Sequence, residues 1–269
     1  MRTEAGLPAG AVVLAGGGFL AVGLPVLALV LRAPWTALPT TLASPTALQA
    51  LGLSFGTALP ATLACVVVGL PLALVLSRGR GWAVSLLRAV VLIPLVLPPL
   101  VGGLALLLLL GRSGLLGGPL AAATGFSLPF TTAAVVVAQT FVALPFLVVS
   151  VEGALRSLDD GYARTAASLG ASPWRAFTTV TLPQLAPALR NGVVLSFARA
   201  LGEFGATSLF AGNLPGLTQT MPLAIYSAFN DATVGQDTAT ALAVLLVACA
   251  LVLLVASGQI RLPRGPERT

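Results

Sequence analysis

The sequence of 269 residues has no lysine and no histidine, and only 8% of its residues are charged. Without lysine, the chain has neither a P-loop lysine for nucleotide phosphates nor a Schiff-base nucleophile. Without histidine, Ser-His and Cys-His nucleophile pairs, HExxH zinc sites and imidazole proton shuttles are excluded. We therefore expect a protein that is not an enzyme by itself, with no metal site, no cofactor and no Walker loop of its own for ATP.

The basic residues are 14 arginines against 8 acids, for a net charge of +6. They are scattered singly through apolar sequence and form no run of five or six, so nucleic-acid binding is not expected. Cys65 and Cys249 each lie inside an apolar stretch, where a free cysteine behaves as a small hydrophobic residue.

Long apolar runs make up most of the chain: 57% of its residues are hydrophobic and the mean hydropathy is +1.00. A bilayer-spanning helix needs roughly 20 predominantly apolar residues. Six runs satisfy this length, at residues 9–31, 51–76, 86–110, 129–151, 189–211 and 238–257. The sequence predicts an all-α integral membrane protein with six transmembrane helices, which form a single transmembrane domain over residues 1–269.

The arginines predict the orientation of these helices, because positively charged loops stay in the cytoplasm. Only two arginines, Arg32 and Arg112, lie on one side of the predicted membrane, and Arg199 lies inside the fifth run. The other eleven lie on the opposite side: Arg2, Arg78, Arg80, Arg88, Arg156, Arg164, Arg175, Arg190, Arg261, Arg264 and Arg268. Both termini are predicted to be cytoplasmic.

The longest polar stretch, residues 152–188, lies on the same predicted cytoplasmic side. Its local chemistry predicts two short helices. Asp159 or Asp160 can cap the first, and Gly170 stands where a helix C-terminal glycine would. Ser172-Pro173 supplies a side-chain cap and a first-turn proline for the second helix, which Leu182-Pro183 is expected to end.

This helix pair carries apolar side chains among its arginines, namely Tyr162, Leu169, Trp174 and Phe177. Two interpretations are open from the shape alone. The pair can insert into a groove on another protein, or it can lie as an amphipathic segment on anionic lipid.

The run from Arg164 to Pro183 resembles the EAA loop of ABC importer permeases. That pattern reads E-A-A, three residues, Gly, nine residues, Ile, one residue, Leu-Pro. Ala166, Gly170 and Leu182-Pro183 match at this spacing, whereas Arg164 replaces the glutamate, Thr165 the first alanine and Val180 the isoleucine. Residues 93–103, 111–117, 198–206 and 211–226 look like the molybdate permease branch, with sulfate and tungstate permeases as close relatives.

The resemblance implies a MetI-like permease in the bacterial plasma (inner) membrane that forms the pathway of an ATP-driven molybdate importer. It implies a homodimer, two ABC ATPase subunits that bind ATP and Mg²⁺, and an extracytoplasmic molybdate-binding protein. In this family the loop is the coupling element for the ATPase. The corresponding candidates here are Asp160, Tyr162, Arg164, Ala166, Gly170, Pro173, Trp174, Leu182 and Pro183.

A second candidate group lies inside the fifth run. Arg199 and Glu203 are one helical turn apart and can pair. A charge near the bilayer centre costs at least about 2.5 to 3.5 kcal/mol, so the pair is expected to face the helix bundle or a water-filled path. It either contributes to an anion pathway, together with Thr207 and Ser208, or locks the span to its neighbours.

Two other classes of function are open. A proton-coupled secondary transporter or channel could use the Arg199 and Glu203 pair, but it leaves the spacing from Gly170 to Leu182-Pro183 unexplained. An intramembrane enzyme would have to rely on isolated acids such as Asp159 and Asp160. The sequence favours neither over an ABC permease.

Overall fold

The computed structural model describes residues 8–231 and 235–256, and its described secondary structure is helical. A π-helical segment, Phe177–Thr181, separates α9 from α10. The α-helices are α1 (Ala9–Leu31), α2 (Leu38–Leu42), α3 (Pro45–Arg78), α4 (Trp82–Val96), α5 (Pro99–Leu110), α6 (Gly117–Thr124), α7 (Thr132–Ser157), α8 (Asp160–Ser168), α9 (Pro173–Ala176), α10 (Leu182–Leu201), α11 (Gly205–Phe210), α12 (Met221–Asn230) and α13 (Gly235–Ala256).

Among the residues that the structure describes, four helices are long and apolar enough to cross a membrane: α1, α3, α7 and α13. They occupy the first, second, fourth and sixth runs predicted from the sequence. The helix α3 is longer than the second predicted run at both ends and has 34 residues. The helix α7 continues beyond the fourth predicted run, into the polar segment, as far as Ser157. Arg2, Arg261, Arg264 and Arg268, which contribute to the predicted orientation, lie outside the described residues.

The third run, 86–110, is divided into α4 and α5 rather than forming one helix. Leu97 and Pro98 are extended, with ψ angles of 134° and 135°, and Pro99 begins α5. Two consecutive prolines cannot donate backbone hydrogen bonds, and Pro99 disfavours a helical conformation at Pro98. Pro94, by contrast, lies inside α4.

The fifth run, 189–211, is also divided, and the prediction of one continuous helix there was wrong. The helix α10 begins earlier, at Leu182, and ends at Leu201, and α11 begins at Gly205. The intervening residues, 202–204, place Glu203 beyond the end of α10. A carboxylate is therefore available at a point where backbone amides lose their helical partners.

The centre of the fold is a three-helix core of α3, α7 and α10. Small residues on α3, such as Ala58, Ala61 and Cys65, are fully buried and allow close approach. Phe55 of α3 contacts Phe197 of α10 with ring centroids 5.8 Å apart. The many apolar side chains exposed on α1 and on the outer faces of the other helices suit contact with lipid rather than water.

The short helices α5 and α11 pack against each other through glycine. A Cβ atom on Gly103 would lie 2.8 Å from the carbonyl oxygen of Ala206, and one on Gly205 would lie 2.6 Å from Cβ of Pro99. Both distances are shorter than real Cβ contacts allow. The third and fifth predicted runs are therefore in contact through α5 and α11, the helices that follow their breaks.

Candidate functional site

The polar segment 152–188 begins with a capped helix, as the sequence predicts. The cap of α8 is Asp159, whose Oδ1 accepts a hydrogen bond of 2.8 Å from the backbone N–H of Gly161. Asp160 is the first residue of α8. The cap satisfies one of the amides that a helix N-terminus leaves without a partner.

The C-terminus of α8 has a Schellman motif centred on Gly170. Gly170 has a φ of +84°, a conformation that L side chains rarely adopt. Its N–H donates to the carbonyl of Ala167, and the N–H of Ala171 donates to the carbonyl of Ala166, each at 3.0 Å. This is the paired hydrogen bonding of a helix that ends in a left-handed residue. The predicted position of Gly170 at the C-terminus of a helix is confirmed, and Ala166 contributes to the motif through its backbone carbonyl.

The second predicted helix starts as expected but does not end at Leu182-Pro183. Ser172 Oγ accepts from the N–H of Arg175 at 3.3 Å, and Pro173 occupies the first turn of α9. After four residues α9 passes into the π-helical segment and then into α10. The N–H of Leu182 donates to the carbonyl of Phe177, five residues back. Because π-type bonding shifts the register there, Pro183 falls in the first turn of α10, where it has no N–H to satisfy.

The segment presents apolar side chains to its surroundings. Tyr162 is 63% exposed, Leu169 84% and Trp174 73%. Trp174 contacts the half-buried Phe177, with ring centroids 5.7 Å apart. Large apolar groups left this exposed beside polar residues are typical of a surface that binds a partner or a membrane. The side chains of Asp160 and Arg164 lie outside the described part of the chain.

An ion-pair network, missed by the sequence analysis, lies where this segment joins the membrane helices. Glu152 of α7, with a side chain 10% exposed, accepts from Arg88 of α4 at 2.7 Å and from Arg156 at 2.9 Å, both through Oε1. Arg88 also donates to the backbone carbonyl of Leu76 at the end of α3. The network joins α3, α4 and α7. A single acid at the end of an otherwise apolar run is the signal that could have found it.

The predicted pair of Arg199 and Glu203 is formed across the end of α10. Arg199 Nη1 lies 2.5 Å from Glu203 Oε2, and the Glu203 side chain is 1% exposed. The other carboxylate oxygen, Oε1, accepts from the N–H of Ala206 at 2.7 Å. Glu203 therefore both neutralises Arg199 and caps the first turn of α11, so the pair connects the two halves of the broken run.

Buried polar atoms without a described partner occur in α11 and in α7. Thr207 is fully buried in α11, and no partner of its Oγ1 lies within the described residues; Ser208 is half-buried. Gln139 of α7 is also fully buried, and neither polar atom of its amide has a described partner. Gln139 follows Ala138, which packs in one cluster with Ala206 of α11. Buried groups of this kind are costly unless something binds them.

The predicted residues thus form two separate groups. Those of the segment 159–183 follow one another along α8, α9 and the start of α10, whereas Arg199, Glu203, Thr207 and Ser208 surround the break between α10 and α11. Within residues 8–231 and 235–256, no three His, Cys, Asp or Glu side chains form a group that could hold a metal ion.

Comparison with known proteins gives a family, relatives and fold neighbours. Residues 65–262 match the model of the family described as binding-protein-dependent transport system inner membrane component. The molybdenum transport system permease protein ModB of Mycobacterium tuberculosis is 48% identical over 250 residues, which are 93% of each chain. A probable sulfate transport system permease protein, cysT, of Zygnema circumcarinatum is 34% identical over 241 residues, 88% of this chain and 83% of the relative.

Solved structures of ABC transporters share the fold. A chain of the MetNI methionine ABC transporter has a TM-score of 0.59 at 21% identity, with 79% of this chain and 93% of that chain covered. A chain of a bacterial alginate ABC transporter, in complex with an alginate-bound periplasmic protein, has a TM-score of 0.68 at 16% identity, with 93% and 92% covered. At these identities the likeness concerns the arrangement of helices alone.

Proposed function

Because the chain belongs to the family of binding-protein-dependent transport system inner membrane components, we propose that it is the permease subunit of an ATP-driven molybdate importer. The observation that carries this proposal is the 48% identity to a molybdenum transport permease over 93% of both chains. The permease forms the pathway through the membrane. The hydrolysis of ATP takes place in a separate subunit, which binds ATP and Mg²⁺.

In this proposal the chain crosses the bacterial plasma (inner) membrane six times, with both termini in the cytoplasm. The third crossing consists of α4 and α5, and the fifth of α10 and α11. Breaks at membrane depth are tolerated where the freed backbone is buried in protein or lines a cavity. The bias of arginines toward one side supports the orientation. A second copy of the chain completes the pathway.

The segment from Asp159 to Pro183 couples the permease to the ATPase. Its support is a rigid scaffold with an exposed apolar surface: α8 is capped at both ends, and Tyr162, Leu169 and Trp174 are exposed. Inserted into a groove of the ATPase, this surface transmits a movement of the ATPase to α7 and α10, which are continuous or nearly continuous with it. Such a device biases two arrangements of the membrane helices.

The coupling residues are the ones that the resemblance assigns, and they differ in what they contribute. Gly170 and Ala166 shape the turn, Pro173 starts α9, and Leu182 and Pro183 start α10. Tyr162 and Trp174 supply the apolar contact with the ATPase. Asp160 and Arg164 supply the charged groups of the same contact.

The translocation pathway runs past the break between α10 and α11. Arg199 supplies positive potential, which Glu203 partly neutralises, and Thr207 and Ser208 offer neutral hydrogen-bond donors to a tetrahedral dianion. The buried amide of Gln139 adds a further donor. The support for this assignment is that Thr207 and Gln139 have unpartnered polar atoms among the described residues.

A sulfate or tungstate permease is the second candidate, favoured by the 34% identity to a probable sulfate permease. An extracytoplasmic binding protein, which is another chain, selects among such tetrahedral dianions. A proton-coupled transporter is a weaker candidate, because both oxygens of Glu203 are already engaged, by Arg199 and by the N–H of Ala206.

Uptake by proteoliposomes tests the proposal. Vesicles that contain this chain, its ATPase and its binding protein receive labelled molybdate with either ATP or a proton gradient as the energy source. We expect uptake that requires ATP and resists excess sulfate. Competition by sulfate at a similar concentration would favour the broader oxyanion importer, and uptake driven by the gradient alone would contradict an ABC permease.

A further inference from the structure

A cleft of about 610 Å³ opens between the ends of α3 and α7 and the segment 159–183. Three of its lining residues are arginines, Arg78, Arg80 and Arg156, and Asp159 is the acid among them. The lining also includes the side chains of Tyr162, Thr181 and Gln184, which carry hydrogen-bonding groups. The cleft is therefore positively charged and rich in hydrogen-bond donors.

The charges of the cleft are only partly compensated within the protein. Arg78 and Arg80 are exposed and form no ion pair with any residue in the described parts of the chain. Asp159 uses Oδ1 for the cap of α8. Arg156 is paired with Glu152, which also holds Arg88. The guanidinium groups of Arg78 and Arg80 are thus free to bind an anion that no other described residue supplies.

The position of the cleft favours a phosphate-like group. Arg78 is the last residue of α3, a helix of 34 residues that is long and apolar enough to cross a membrane, so the cleft lies at an end of such a helix. Guanidinium groups bind the oxygens of a tetrahedral anion with directed hydrogen bonds. Leu155, Leu158 and Val180 line the same cleft and give it an apolar wall. Basic pockets between helix ends on the cytoplasmic side are typical sites for anionic headgroups.

We propose that this cleft binds a tetrahedral oxyanion, either the phosphate of an anionic lipid headgroup or a free phosphate-like anion, between Arg78, Arg80 and Arg156. The anion connects the end of α3 to the first turn of α8 through Tyr162, whose side chain lines the same cleft. Arg156 links it in turn to the Glu152 network. If the coupling role proposed above is correct, on which this consequence rests, occupancy of the cleft fixes the base of the coupling segment.

Binding to the purified full chain tests the site without reference to transport. The chain in detergent is titrated with phosphatidylglycerol and followed by native mass spectrometry, and with labelled orthophosphate in equilibrium dialysis. The variant Arg78→Gln/Arg80→Gln is compared with Arg175→Gln/Arg190→Gln, which removes the same charge from exposed arginines outside the cleft. We expect the cleft variant, and not the control, to bind about tenfold more weakly.

The two arms distinguish the sources of the anion. Weakening of phosphatidylglycerol binding alone assigns a lipid phosphate, and weakening of orthophosphate binding assigns a free anion. Equal binding by the wild-type chain and the cleft variant in both arms, or equal weakening by the control, overturns the site. If the double variant is poorly folded, Arg80→Gln alone replaces it, since Arg80 lies between α3 and α4 and outside any helix.

Discussion

Arg88 and Glu152, 64 residues apart in the sequence, form an ion pair of 2.7 Å that fastens α4 to the end of α7. Arg88 Nε also donates to the same carboxylate oxygen, at 3.1 Å. The segment proposed to couple to the ATPase follows directly after α7. This pair therefore holds the membrane helices together at the point where a movement of that segment reaches them.

Replacement of Glu152 by Gln should destabilise the protein. Arg88 and Arg156 then lose their shared negative partner, and we expect a loss of about 2 kcal/mol in the free energy of unfolding, with most of it from the less exposed Arg88. Arg156→Gln removes only the outer, half-exposed pair and should cost less than about 1 kcal/mol. Unfolding in detergent, followed by circular dichroism, measures both. Equal stability of Glu152→Gln and wild type would contradict the structural role of the network.

Replacement of Gly170 by Val should disturb the turn between α8 and α9. A β-branched side chain at a φ of +84° costs about 1 to 2 kcal/mol or more, whereas Asn tolerates this conformation. We expect Gly170→Val to lose the ATPase in co-purification or to uncouple hydrolysis from uptake, and Gly170→Asn to retain most of both. Gly153→Ala, in open space within α7, is the control: it should leave assembly and coupling unchanged and should not lower stability. If the Gly170→Val variant assembles with the ATPase and transports normally, the turn at Gly170 has no role in coupling.

Replacement of Gly103 by Ala should separate α5 from α11. The new Cβ would lie 2.8 Å from the backbone oxygen and 3.0 Å from Cα of Ala206, and backbone atoms cannot rotate away. We expect a loss of about 1 to 3 kcal/mol in stability and a decrease in uptake. Gly52→Ala, on α3 with no atom within 4 Å of its Cβ, supplies the control. Thermal unfolding and uptake of both variants are compared; matching values would show that the two helices do not need this close approach.

Replacement of Glu203 separates its two contacts. Glu203→Gln keeps an oxygen for the N–H of Ala206 but removes the negative partner of Arg199, whereas Glu203→Ala removes both. We expect the Gln variant to fold but to show lowered uptake. The Ala variant should be about 1 kcal/mol less stable than the Gln variant, because it also loses the cap of α11. Expression, thermal unfolding and molybdate uptake are measured for each. Unchanged values for Glu203→Gln would leave its charge without a role in gating or packing.

Local features of the helix ends could be predicted because they depend on neighbouring residues. Asp159, Gly170 and Ser172 each cap a helix through contacts no more than a few positions away. The pairing of Arg199 with Glu203 was predictable for the same reason, since four residues separate them. The continuation of the helix past Leu182-Pro183 was not, because a π-helical turn changes the register that the proline meets.

Contacts between distant residues could not be predicted from one sequence. No local pattern pairs Arg88 with Glu152, places Gly103 against Ala206, or gathers Arg78, Arg80 and Arg156 around one cleft. The position of α11 depends on the same kind of contact, because α11 packs against α5 where Gly103 meets Ala206. The cap that Glu203 gives to the N–H of Ala206, three residues further on, is by contrast local.

The sequence by itself determined that this is a helical membrane protein without catalytic histidine or lysine, because apolar run length and residue composition are sufficient for that. It also determined the capped turn at Gly170, because a left-handed helix end is a local choice of the backbone. Only the tertiary structure decided how α5 and α11 pack against each other, which arginines are paired and which surround a cleft. Those outcomes depend on packing between helices that are far apart in the chain, where burial makes each unpaired charge or amide costly.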